Sequence, residues 1–130
     1  MLKGFEHVGI TVKNIDKSLG FYVDLLGMAL IVRRRGRNGD EIAFVDAKGA
    51  MIEMVCPATG ALAAEDVAVG RAGVRHLTFN FESVDEAYRV LQAAGVQMVE
   101  PPRNAHNNDI VKRVAFCRDP DGILIELIEH

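Results

Sequence analysis

The chain lacks the features that would place it in several broad classes. It has no tryptophan, four prolines and only two cysteines among 130 residues. Two cysteines are too few for the disulfide framework of a small secreted domain, so we expect free thiols and a cytoplasmic protein. No apolar run approaches the roughly 18 residues of a membrane-spanning helix, and the N-terminus has no signal-peptide pattern.

An excess of basic charge is also missing. Fifteen Lys and Arg residues stand against eighteen Asp and Glu residues, which gives a net charge of -3. No broad basic field is present to bind nucleic acid or an anionic membrane, so we expect a small-molecule partner. The length and the 49% hydrophobic content suffice for one domain with a packed core.

What the sequence does contain is an internal repeat. His7 lies in Phe-Glu-His-Val-Gly-Ile-Thr-Val and His76 in Val-Arg-His-Leu-Thr-Phe-Asn-Phe. Each histidine is followed nine residues later by an aspartate, at position 16 or 85. Each copy closes on a glutamate, Glu53 or Glu126, that comes four residues after a glycine. Two histidines and two carboxylates at matching places predict a metal site built from both copies.

The apolar periodicity predicts the same elements in each copy. Residues 5–12 alternate, with Val8, Ile10 and Val12 on one face and His7 on the other, as in a strand that covers a core on one side. A helix follows, capped by Asn14 or Asp16 and ended by Gly27. In the second copy a capping box of Ser83 and Glu86 starts the helix and Gly95 ends it. Three short strands complete each copy; they are predicted near 30–33, 41–45, 51–55, 96–99, 111–117 and 123–128.

These elements give an α+β fold of two tandem β-α-β-β-β modules. The modules span about 5–55 and 74–129, and a connector at 56–73 with room for one short helix joins them into a single domain, 1–130. We expect a cupped, partly open mixed sheet with the helices on its outer face. The small polar residues on the face that carries the histidines could line a cavity.

The two glutamates strengthen the metal hypothesis. Glu53 and Glu126 lie inside apolar strands, where a carboxylate is costly to bury unless a cation receives it. A solvent-facing edge strand, or pairing with Arg75 or Arg113, would be the alternative. Two imidazoles and two carboxylates suit one Zn, Ni, Co, Mn or Fe ion better than calcium. Such a metal could stabilise an enediolate, and a glutamate held away from water could act as a base next to a carbonyl.

These residues and the ending Phe-Cys-Arg-Asp-Pro-Asp-Gly-Ile-Leu-Ile-Glu resemble the vicinal-oxygen-chelate superfamily, the glyoxalase, bleomycin-resistance and extradiol-dioxygenase group. The resemblance covers nearly the whole chain and implies metal ligands at His7, Glu53, His76 and Glu126. The full set is similar to that of bacterial glyoxalase I, a lactoylglutathione lyase that isomerises a hemithioacetal. It implies proton transfer by Glu126, with Glu53 as its counterpart, and a homodimer.

The resemblance is incomplete where glyoxalase I contacts glutathione. The usual arginine and asparagine are replaced here by Thr11 and Pro57. The thiol and the substrate are therefore left open, as is whether the four ligands come from one chain or from two.

Three other activities remain open. Methylmalonyl-CoA epimerase shares the expected fold, and the segment Cys-Pro-Ala-Thr-Gly has some likeness to that branch. An extradiol-type dioxygenase would use His7, His76 and Glu126 as the ligands of Fe(II). Glu53, as a fourth ligand, would occupy a coordination position that catechol and dioxygen need. A non-catalytic drug-binding member would be expected to lack the ligands.

Two further features have no assigned role. The arginines between Arg33 and Arg37 could hold a substrate carboxylate or phosphate, or form a solvated hairpin tip. His106 lies in an Asn-rich segment that could form a lid.

Overall fold

The computed structural model describes all 130 residues, which form two compact units, Met1–Ala63 and Ala64–His130. Each unit contains one four-stranded mixed sheet and one helical segment between its first two strands. The predicted α+β class and the β-α-β-β-β order of each module are confirmed. Neither unit has a helix with the length and apolar character needed to cross a membrane.

The N-terminal unit carries its strands in the order β1-β4-β3-β2. Strands β1 and β4 are parallel, and the other neighbours are antiparallel. The first and last strands of the unit therefore lie side by side, although they are far apart in the chain. The elements are β1 (His7–Thr11), α1 (Ile15–Leu19), a π-helical segment (Gly20–Leu25), β2 (Ala29–Arg35), β3 (Glu41–Asp46) and β4 (Met51–Cys56).

The C-terminal unit repeats this topology, with the strand order β5-β8-β7-β6. Its first and last strands, β5 and β8, are again parallel neighbours. The connector before β5 forms no helix, so the short helix for which residues 56–73 had room is absent. The elements are β5 (Leu77–Asn80), α2 (Val84–Ala93), β6 (Met98–Asn104), β7 (Arg113–Arg118) and β8 (Leu124–Glu129).

The first helical segment differs from the single α-helix predicted up to Gly27. The α-helix ends at Leu19, and the chain continues in π-helical turns, in which the backbone N–H of Leu26 donates to the carbonyl of Phe21 at 3.0 Å. A π turn rotates each residue through a smaller angle than an α turn, which helps the consecutive Phe21 and Tyr22 both to be buried. Gly27 does end the helical region, with a positive φ of 78°.

The second helix begins at the predicted place, but only the serine half of the predicted capping box forms. The Ser83 hydroxyl accepts a hydrogen bond from the backbone N–H of Glu86 at 3.2 Å. The Glu86 carboxylate pairs with Arg89 instead of reaching back to Ser83. The Glu129 carboxylate accepts from the Val84 N–H at 3.0 Å, which ties the start of α2 to the end of β8.

The core of each unit explains which way the glutamates point. In β4, Ile52 and Met54 are fully buried on either side of Glu53. In β8, Ile125 and Leu127 flank Glu126 in the same way. Since successive side chains of a strand point to opposite faces, both carboxylates lie on the face away from the core. The predicted alternation of β1 is confirmed too, with its histidine on the more exposed face.

Candidate functional site

In the N-terminal unit, the parallel pairing of β1 and β4 brings one predicted ligand pair together. Gly9 lies opposite Glu53 in the register, and His7 stands two residues earlier at the start of β1. The Nε2 atom of His7 is 3.6 Å from Oε2 of Glu53. The two side chains are 39% and 29% exposed, so a small ion or solute can reach them.

The C-terminal unit forms the corresponding pair, but through the other ring nitrogen of its histidine. His76 directly precedes β5, and Thr78 lies opposite Glu126 in the register. The Nδ1 atom of His76 is 3.6 Å from Oε2 of Glu126, and the side chains are 31% and 19% exposed. The structure therefore brings each predicted histidine next to the predicted glutamate of its own unit.

An aromatic ring completes each pair. Phe44 of β3 lies opposite Glu53, and its ring meets the His7 ring edge to face at a centroid distance of 5.9 Å. Phe116 of β7 has the same relation to its own glutamate and histidine, at 5.8 Å. Each His–Glu–Phe cluster thus spans three adjacent strands. The sequence analysis did not identify these phenylalanines. An Ala-Phe dipeptide recurs in the strand before each glutamate-bearing strand, and this repeat could have indicated them.

The two histidines have different neighbours on the Nδ1 side. Nδ1 of His7 contacts the carboxylate of Glu6. The hydrogen bond with Glu6 raises the pKa of His7, burial lowers it by a smaller amount, and the charges of Glu6 and Glu53 raise it further. A metal at Nε2 of His7 would have to displace the second proton of the charged imidazole, a form that the two carboxylates favour.

His76 has a hydroxyl neighbour instead. Its Nδ1 atom is 2.9 Å from Oγ1 of Thr78, and the same hydroxyl donates to Oε2 of Glu126 at 2.7 Å. Thr78 therefore connects the histidine to the glutamate. In the N-terminal unit the equivalent position is Gly9, which has no side chain to do so.

A cation lies near the second pair. Arg103 of β6 pairs with Glu100, with Nε and Oε1 2.5 Å apart. The pKa of Arg103 is raised mainly by its hydrogen bond with Glu100, and the charge of Glu126 adds to the shift. The pKa of Glu100 is lowered mainly by Arg103 and to a smaller extent by His106. His106 is thus electrostatically linked to this ion pair.

The remaining arginines of interest have other partners. Arg113 pairs with Asp85 through two contacts of 2.6 and 2.7 Å, so it does not serve as the partner of Glu126. Arg33 donates to Asp16 at 2.6 Å and to Glu41 at 2.9 Å, which engages its guanidinium inside the N-terminal unit.

The cysteines add no nucleophile to either pair. Neither forms a disulfide, as expected, and Cys56 donates a long hydrogen bond of 3.4 Å to the Lys13 carbonyl. Burial raises the pKa of the Cys117 thiol to about 12, so it stays protonated at neutral pH.

The number of ligands per unit limits what each pair can do alone. The chain contains no group of three or more His, Cys, Asp or Glu side chains that could hold a metal ion. Each pair offers one imidazole and one carboxylate. A metal with four protein ligands would need two pairs.

Residues 4–127 match the sequence profile of the Glyoxalase/Bleomycin resistance protein/Dioxygenase superfamily. The chain belongs to this superfamily. The family resemblance seen in the sequence is therefore confirmed, and the superfamily includes enzymes of the glyoxalase I type.

Relatives agree with this assignment. The chain is 31% identical over 128 residues to a probable lactoylglutathione lyase of Synechocystis, covering 95% of this chain and 92% of that protein. A glyoxalase family protein from Enterococcus faecalis has a similar structure, with a TM-score of 0.77, 26% identity and 98% coverage of both chains. A fosfomycin resistance protein of Listeria monocytogenes, complexed with Mn(II) and sulfate, shares the fold at a TM-score of 0.75 and 20% identity, over 100% of this chain and 94% of that one.

Proposed function

We propose that this superfamily member is a divalent-metal-dependent lyase or isomerase of the glyoxalase I type. It would act on a small α-oxo or hemithioacetal substrate through an enediolate. The observation that carries the proposal is the repeated His–Glu pair, at 3.6 Å in both units and on equivalent strands. The relative named as a probable lactoylglutathione lyase supports the same reaction class.

The donor set fits a divalent metal. His7, Glu53, His76 and Glu126 would hold one ion through two nitrogens and two carboxylates, a set suited to Zn, Ni, Co, Mn or Fe. Each glutamate faces away from the core and approaches a histidine, so its carboxylate is accessible. The bound metal would supply Lewis-acid stabilisation of the negative charge that develops on the substrate oxygens.

The protein's own part is proton transfer beside that charge. A carboxylate of the pair, Glu126 by resemblance, would take a proton from the carbon next to the carbonyl and return it to the neighbouring carbon. Glu53 is its counterpart in the other unit. Phe44 and Phe116 supply an apolar edge beside each histidine, which limits water around the reacting groups.

A reconstitution assay tests the proposal. Protein stripped with a chelator is reloaded separately with Zn, Ni, Co, Mn or Fe and assayed on methylglyoxal with glutathione and with other thiols. Several thiols are needed because Thr11 and Pro57 occupy the positions at which glyoxalase I contacts glutathione. We expect metal-dependent isomerisation with at least one thiol. Glu65→Gln, which changes an exposed glutamate of the connector, is the matched control and should keep full activity.

The alternatives give different signals in the same preparations. Oxygen uptake with a catechol would indicate a dioxygenase. Hydrogen exchange at the α-carbon of an acyl-CoA would indicate an epimerase. Tight drug binding without turnover of any candidate would indicate a sequestering protein, and each of these results would replace the proposed lyase activity.

A further inference from the structure

The hydroxyl of Thr78 touches both members of the second pair. It lies 2.9 Å from Nδ1 of His76 and 2.7 Å from Oε2 of Glu126. Thr78 lies opposite Glu126 in the parallel pairing of β5 and β8, so this pairing fixes the contact between the two side chains. The side chain of Thr78 is itself on the exposed face of β5 and has no packing role in the core.

The number of hydrogens available to these three groups favours one tautomer of the neutral histidine. A hydroxyl has one hydrogen to donate, and an ionised carboxylate can only accept. The hydrogen of Thr78 therefore goes to Glu126, and the contact with His76 requires Nδ1–H as the donor. In the neutral imidazole this leaves Nε2 without a proton and with its lone pair available.

We infer that Thr78 is a positioning residue that fixes the tautomer of His76 and so presents Nε2 to a metal. The inference rests on the proposed metal function. Ligand histidines generally donate their second N–H to an outer partner, and loss of that partner typically weakens metal binding about 10- to 100-fold. The same hydroxyl donates a hydrogen bond to Oε2 of Glu126, which restrains the rotation of the carboxylate.

The N-terminal unit places a different partner at Nδ1 of its histidine. Gly9 stands where Thr78 stands in the other unit, and it cannot form a bridge. Glu6, the residue before His7, contacts Nδ1 in its place. Both histidines therefore direct Nδ1 to a local partner, a carboxylate in one unit and a hydroxyl in the other.

Two substitutions in the full-length protein test the role of the hydroxyl. Thr78→Val removes it with little change of shape, and Thr78→Ser is the matched control that keeps it. Long-range ¹H–¹⁵N spectra of the metal-free proteins, at a pH where His76 is neutral, report which imidazole nitrogen carries the proton. Competition between each protein and a chelating indicator reports the Co(II) affinity. Circular dichroism verifies that each variant is folded.

We expect Nδ1–H at His76 in the wild type and in Thr78→Ser. Thr78→Val should lower the share of Nδ1–H at His76, because only the Glu126 carboxylate, 3.6 Å from Nδ1, is left as a neighbour there, and it should bind Co(II) about 10- to 100-fold more weakly. If the wild type binds Co(II) while Thr78→Val keeps both the Nδ1–H form and the affinity, the positioning role is wrong and the proposed function stands. A wild-type protein that binds no metal overturns the proposed function and the positioning role together.

Discussion

The two His–Glu pairs share their backbone arrangement but not their surroundings. His7 is the first residue of the first strand of its unit, and His76 directly precedes the first strand of the other unit. Each glutamate lies on the parallel last strand, and each imidazole meets a phenylalanine ring at almost the same distance. Around His7 the neighbours are Glu6 and Gly9; around His76 they are Arg75 and Thr78. The repeated topology fixes where the pairs form, while the non-repeated neighbours decide how each pair behaves.

The largest expected effect concerns the division of labour between the two carboxylates. Glu126→Gln keeps the size and the hydrogen-bonding reach of the side chain but removes its basicity. We expect kcat/KM of the metal-loaded enzyme to fall by about 10²- to 10⁴-fold, the usual contribution of a general base.

Glu53→Gln is the matched variant in the other unit. If Glu126 is the base, Glu53→Gln should cost less turnover, and its effect should lie mainly in metal affinity. Full turnover in both variants, with metal bound normally, would show that neither carboxylate acts as the base.

The second comparison uses the histidines. His7→Ala and His76→Ala each remove one imidazole, so each should weaken Co(II) binding by more than about 100-fold, beyond the effect of losing an outer partner. Measurement is by competition with a chelating indicator. A metal that still binds His7→Ala normally would mean that the first pair is not part of the site.

Glu6→Gln tests the electrostatic difference between the pairs. Since the Glu6 carboxylate raises the pKa of His7 above 6.5, NMR titration of the metal-free protein should show a lower His7 pKa in the variant. Stability gained from this contact is fully present below pH 6.5 and is lost as the pH rises through the His7 pKa in the folded protein. The wild type and Glu6→Gln should therefore differ in stability between about pH 5 and pH 6.5, where carboxylates are ionised and His7 is protonated, and converge at high pH. An unchanged His7 pKa would contradict the contact.

The smallest expected effect concerns Gly9, which occupies in the N-terminal unit the position of Thr78 in the C-terminal unit. Gly9→Ala places a Cβ 3.7 Å from Oε2 of Glu53, an ordinary contact, and Gly9 has no positive φ. Because glycine weakens a strand by roughly 0.5–1 kcal/mol relative to alanine, we expect the free energy of unfolding to rise by about that amount. Urea denaturation measures the free energy of unfolding. A loss of stability would show that the added methyl group disturbs the packing beside Glu53.

Much of this arrangement follows from the sequence pattern alone. Alternation in residues 5–12 placed His7 on the exposed face of its strand, and the internal repeat predicted the same element order in both units. These predictions succeeded because strand faces follow a period of two and because a repeated sequence folds into a repeated topology. The site itself, a metal held by His7, Glu53, His76 and Glu126, stays a prediction.

The sequence by itself determined the superfamily, the α+β class and the candidate ligands, since these depend on local periodicity and on motifs. Only the tertiary structure decided which strands are neighbours, and with them the bridge from Thr78 to Glu126, the aromatic partners Phe44 and Phe116, and the π-helical turn after Leu19. Such features arise from register and packing between residues distant in the chain, which no local pattern encodes.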